Sequence, residues 1–138
     1  MMKIHENGFG SSWYDEQTLI LHETYTGLIN VKLAIDATTK NLEFCQNNTI
    51  KGDLIDLSQM KGTFTAINDY LEKEYFPFFI GKGCVAIAIV YSDDVFTQFA
   101  VDDILRRTGS AEMKVFDDME NATHWIEEKI QNSKMENS

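Results

Sequence analysis

At 138 residues, with 43% apolar and 25% charged residues, the chain has the size and composition of one globular domain that can bury a core without staples. Its net charge of -10 repels nucleic-acid phosphates and anionic lipid headgroups, and Arg106–Arg107 is an isolated basic pair, so nucleic acid is excluded as a partner. The N-terminal MMKIHENGFG lacks an apolar signal core, and the longest apolar run, CVAIAIVY, is far short of the roughly 20 residues that span a bilayer, so no membrane span is expected and the cytoplasm is the expected compartment.

In chain order, the first ten residues are expected to be loose. SSWYDEQTLILHETYTG then predicts two strands around a turn at Asp15–Gln17, with Leu19, Leu21 and Glu23 on one face of the second and Ile20, His22 and Thr24 on the other. From Asn30, a natural N-cap, the period becomes helical through Val31, Ala34, Ile35 and Leu42, and ends before the loop-forming QNNTIKG. DLIDL reads as a short buried strand. TFTAINDYLEKEY reads as a helix with Phe64, Ile67 and Leu71 on one face, stopped by Pro77. CVAIAIVY is the clearest strand, apolar on both faces as a strand covered on both sides requires.

A third helix is expected to be capped by Ser92, with Asp93 and Asp94 in its first turn. Its inner face is Val95, Phe96, Phe99 and Ile104, with Arg106 and Arg107 at the far end and Gly109 as the breaker. MKVF is a fourth central strand. Asp117 and Glu120 have the spacing of a capping box, opening a last helix over 118–131 with a stripe of Ala122, Trp125, Ile126 and Ile130. The closing NSKMENS reads as a tail. The expected architecture is α/β, one domain over 1–138 with an ordered core of about 11–131. Its order is β-β-α-β-α-β-α-β-α, a mostly parallel central sheet with an antiparallel N-terminal hairpin and four helices.

That order resembles the STAS fold of bacterial anti-sigma-factor antagonists, and more closely its SpoIIAA-like branch, which is related to lipid-transfer domains of the CRAL-TRIO type. The stretches that carry the resemblance are YTGLIN, GDLIDLSQMKG, VAIAIV and VFDDMENATHWI, together spanning about 13–130. In those antagonists a Ser or Thr within Asp-Ser-Ser-Gly, at the start of the second helix, is phosphorylated by a partner kinase. The matching region here is KGTFTA. The Asp-Ser-Ser-Gly motif is absent, and Thr63 is the nearest equivalent by position.

Two places are candidate sites. Ser58, Thr63 and Thr65 mark the corner where a strand hands over to a helix. Their hydroxyls suit either a helix cap or an anion and phosphoacceptor site. Tyr75, Phe76, Phe78 and Phe79 surround the only proline, and either close the core or form a partner or ligand surface. The two cysteines, Cys45 and Cys84, have no metal-ligand spacing, and no nucleophile–base constellation stands out, so no metal, cofactor or catalysis is expected. The expected function is a non-enzymatic module that binds a protein partner. The alternative is a carrier or sensor of a small apolar or lipid-like ligand held between helices and sheet.

Overall fold

The structure, a computed structural model, describes residues 1–136. Its centre is one sheet of six strands in sequence order: β1 (Met2–Glu6), β2 (Gly10–Asp15), β3 (Ile20–Leu28), β4 (Gly52–Lys61), β5 (Ala86–Val90) and β6 (Met113–Phe116). The first three pair antiparallel, and β3 to β6 run parallel. The predicted α/β architecture with an N-terminal hairpin is therefore present. All five residues of β5 are buried, between two hydrogen-bonded neighbours and with helices on both faces. The N-terminal residues expected to be loose instead form edge strand β1. Its signal is weak in sequence because its one fully buried side chain is polar: His5, whose Nε2 lies 2.8 Å from Ser12 Oγ.

One face of the sheet carries α1 (Val31–Asn47), a broken helical stretch and α4 (Val95–Thr108). The other carries α5 (Met119–Glu136), through Ala122, Ile126 and Ile130. Helix α5 thus continues through 132–136, where a tail was expected, and 137–138 lie outside the described residues. Asn30 caps α1 as predicted, accepting from Leu33 N. At α5 the cap is Asp118, which accepts from Asn121 N at 2.8 Å, one residue later than the capping box implied.

The second helix is not regular. It comprises a 3-10 turn (Thr65–Ile67), α2 (Asn68–Tyr70), a π turn (Leu71–Tyr75) and α3 (Phe76–Gly81). Pro77 was expected to stop the helix. It falls instead in the first turn of α3, where a missing N–H costs little, and the wider π turn before it accommodates the ring. Phe64, Ile67 and Leu71 are buried as predicted.

Helix α4 departs most from expectation. Its N-cap is Asp94, accepting from Phe96 N and Thr97 N, whereas Ser92 Oγ donates to Met60 O at 2.7 Å and accepts from Asp94 N. The inward face is Thr97, Ala100, Val101 and Ile104, so Val95, Phe96 and Phe99 face solvent. Thr97 fixes this rotation, because its buried hydroxyl donates to Gly62 O at 2.6 Å and so ties α4 to the turn after β4. Thr97→Val keeps the shape and leaves that carbonyl without its donor. It should lower the urea unfolding free energy by about 1–2 kcal/mol, and an unchanged midpoint would count against this anchoring role.

Candidate functional site

The corner after β4 is built by the ends of two parallel strands. Strand β4 runs to Lys61, beyond the predicted DLIDL, so Ser58 lies exposed on the strand itself, where its N–H donates to Asp56 Oδ1. Gly62 then turns the chain with φ at +83°, a left-handed conformation that glycine adopts without strain. Thr63 is exposed and Thr65 half-buried. Thr63 Oγ1 accepts from Thr65 N and donates to Thr65 Oγ1, both at 3.3 Å. Ile67 N is engaged by Phe64 O, so two early amides of this stretch already have acceptors.

Beside this corner lies an apolar surface that the sequence reading had assigned to the core. Val95, Phe96 and Phe99 are 67%, 63% and 62% exposed on the outer face of α4. Leu28, at the end of β3, is also exposed. Gly62 links the two places, since its N–H donates to Asp94 Oδ1 at 3.2 Å and a Cβ built on it would lie 3.4 Å from Leu28 Cδ2. Asp93, Asp94 and Asp102 give this surface an acidic setting. Large apolar side chains grouped this way mark interaction surfaces, whereas singly scattered ones need no explanation.

The aromatic run is placed differently. Tyr75, Phe76 and Phe79 are buried and Phe78 is half-buried, so these residues form no exposed partner surface. The ring of Tyr75 meets Phe76 and Phe79 edge-on at 5.3 and 4.9 Å, and Phe79 meets Phe78 at 6.5 Å. The continuing helix rolls them under the sheet-facing side.

Behind Tyr75 is a polar box that sequence reasoning did not assemble. Glu23 and Asp53 point from adjacent strands β3 and β4 into the covered face, at 2% and 0% exposure. Tyr25 OH donates to Glu23 Oε1 at 2.6 Å, and Asn41 Nδ2 reaches Glu23 Oε1 at 3.2 Å and Tyr75 OH at 3.1 Å. Asn41 and Thr38 are buried on α1, which rotates that helix away from the predicted stripe and leaves Val31 exposed. Glu23 Oε2, Asn41 Oδ1 and both Asp53 carboxyl oxygens receive no donor. Burial first, then the charge of Glu23, pushes the Asp53 carboxyl well above the usual carboxylate range. Asp53 is therefore the acid that keeps its proton, and that O–H supplies a donor facing Glu23. Burial and the same charge push the Tyr25 and Tyr75 hydroxyls up as well, so both stay neutral donors. The signal for this box was a carboxylate at an inward position of an apolar strand: Glu23 alternating with Leu21, and Asp53 alternating with Ile55.

A cavity of about 60 Å³ adjoins the box between sheet and helices. Ile55, Leu57 and Ile89 form its sheet side, and Phe64, Ile67 and Leu71 of the broken stretch form its roof. Glu23 is the one charged residue in its wall. Tyr75 and Phe76 also line it. Among the described residues, no group of three or more His, Cys, Asp or Glu could hold a metal, and no helix is long and apolar enough to cross a membrane.

No family model and no curated protein matches the sequence. In three dimensions the chain is similar to an uncharacterized protein from Shewanella loihica PV-4, described as of the DUF3478 family with a SpoIIAA-like fold. The likeness has a TM-score of 0.56 at 19% identity and covers 88% of this chain and 98% of that one. At that identity the likeness speaks for fold and not for activity. By that likeness this chain has a SpoIIAA-like, STAS-type α/β fold.

Proposed function

We propose that the chain is a non-enzymatic, cytoplasmic interaction module whose protein partner docks on the outer face of α4, beside the corner at Thr63. The observation that carries this reading is the exposure of Val95, Phe96 and Phe99 on one helix whose opposite face is fully packed. Two phenylalanines give the centre of such an interface its anchors, and a surface of net charge -10 favours a partner with a basic rim. Thr63, exposed at the edge of this surface, is where an added phosphate would alter docking by charge, in line with the fold resemblance.

The test is photocrosslinking in the native cell, with a benzophenone side chain replacing Phe99. The reading predicts a discrete protein adduct that Phe96→Ser weakens by about tenfold, as loss of a hot-spot aromatic should. An adduct insensitive to Phe96→Ser, or none, would contradict it. An adduct of two copies of this chain would replace the foreign partner with self-association.

A second reading, carriage or sensing of a small apolar ligand, is supported by the cavity between the sheet and the broken helical stretch.

A further inference from the structure

We infer that an open groove at the C-terminal end of α4 binds an apolar α-amino acid, its carboxylate on Arg107, its ammonium on Glu112 and its side chain on the apolar floor between them. The groove contains none of the exposed apolar residues of the α4 docking surface and shares only Phe76 with the enclosed cavity, so this inference and both readings above can fail independently.

The room comes first. The groove measures about 470 Å³, inside the roughly 300–1,000 Å³ of small-molecule sites, whereas the enclosed cavity has about 60 Å³. One wall is the helical stretch. Glu72, Phe76 and Ile80 recur there at steps of four and so share a side, with Pro77 beside them. The other wall is the end of α4 at Arg107, the loop with Ser110 and Glu112, and Met113 at the start of β6. Phe76, Pro77, Ile80 and Met113 supply the apolar floor.

The charges decide what enters. Arg107 Nε donates to Asp103 Oδ2 at 2.8 Å, and Nη1 reaches Glu72 Oε1 at 3.4 Å. These bonds hold the guanidinium in place. Its five N–H donors are more than they use, so donors remain for a carboxylate. Glu112 Oε2 accepts from Ser110 Oγ, and that hydrogen bond holds the carboxyl below the usual range, so it is ionised at neutral pH. Lys129 acts on it only at longer range, its Nζ lying over the Trp125 ring. Oε1 is left to accept from an ammonium. Glu72 already faces Arg107 and is the weaker acceptor for it. The groove thus presents one cation and one anion, each held by a neighbour, beside apolar surface. A monoamine answers only Glu112 and a monocarboxylate only Arg107, whereas an amino acid answers both.

The experiment uses the full chain with methyl-labelled methionine and isoleucine. It is titrated with leucine, with isopentylamine, which is leucine without the carboxylate, and with isocaproate, which is leucine without the ammonium. The Met113 and Ile80 signals should shift saturably with leucine, while the Ile67 and Ile89 signals of the enclosed cavity stay in place. Each analogue should bind about fivefold more weakly than leucine. Arg107→Gln and Glu112→Gln change side chains that reach solvent, so both variants should fold. Each should bind leucine about fivefold more weakly and lose one preference only. Arg107→Gln should lose the preference for leucine over the amine, and Glu112→Gln the preference over the acid. A merely structural role for either residue would not sort the analogues in this way. No saturable shift with leucine in the wild type, an analogue that binds as tightly as leucine, or variants that keep both preferences would overturn the inference.

Discussion

Asp53→Asn is expected to make the protein more stable at pH 8, by about 1–3 kcal/mol, although it alters a fully buried residue in the middle of the sheet. The reason is the proton. In the unfolded chain an aspartate releases it near pH 4. In the fold, burial and Glu23 hold the Asp53 carboxyl well above that range. A folded value raised above the unfolded one means that the contribution of Asp53 is complete below the unfolded value. It is lost progressively as pH rises through the folded one, at about 1.4 kcal/mol per pH unit between the two. Asparagine is neutral throughout and its amide can donate to Glu23, so the variant escapes this loss. The stability difference between variant and wild type should therefore grow from pH 4 upwards and then level off. His5 and His22, whose values burial lowers, titrate in both proteins and cancel in that difference. Urea midpoints measured from pH 4 to 8 read it directly. A constant difference, or a variant that loses stability at pH 8, would show that Asp53 is ionised and partnered in the fold.

Phe79→Ala should be the most damaging single truncation in the aromatic run, with a loss of about 3–5 kcal/mol. Phe79 is completely buried, its ring edge-on to Tyr75, which in turn holds Asn41 through its hydroxyl. Removing it opens a void beneath the polar box as well as in the core. Domains of this size have total stabilities of roughly 5–15 kcal/mol, so the urea midpoint should fall by about a fifth or more. Phe78→Ala, at a half-buried ring, should cost clearly less. Equal effects of the two substitutions would mean that the run packs loosely and that its burial order is wrong.

The parts of the fold that sequence made legible are those whose pattern follows burial alone. CVAIAIV could hardly be anything but an interior strand, and the α5 stripe of Ala122, Ile126 and Ile130 repeats at helical spacing. Pattern reading failed where polar groups do the packing. Strand β1 inserts His5 towards Ser12, α1 buries Thr38 and Asn41 for the sake of Tyr70 and Glu23, and α4 turns Thr97 inward to reach Gly62. On the first turns of α4 the result is an inversion, since Val95, Phe96 and Phe99 face water while Thr97, Ala100 and Val101, with Ile104 further on, meet the core. Hydrophobicity alone cannot foresee that, because the deciding hydrogen bond joins residues 35 positions apart. The same holds for the candidate site. Thr63 and the aromatic run announce themselves in sequence, but Glu23, Asn41 and Asp53 come together only through strand pairing.

The expected gain in Asp53→Asn depends on a carboxyl that keeps its proton inside the sheet. A carbon-detected NMR titration of the side-chain carboxyl signals tests that most directly. The Asp53 signal should hold the position of a protonated acid well above the pH at which a free aspartate releases its proton. An Asp53 signal that titrates near pH 4 would contradict the account.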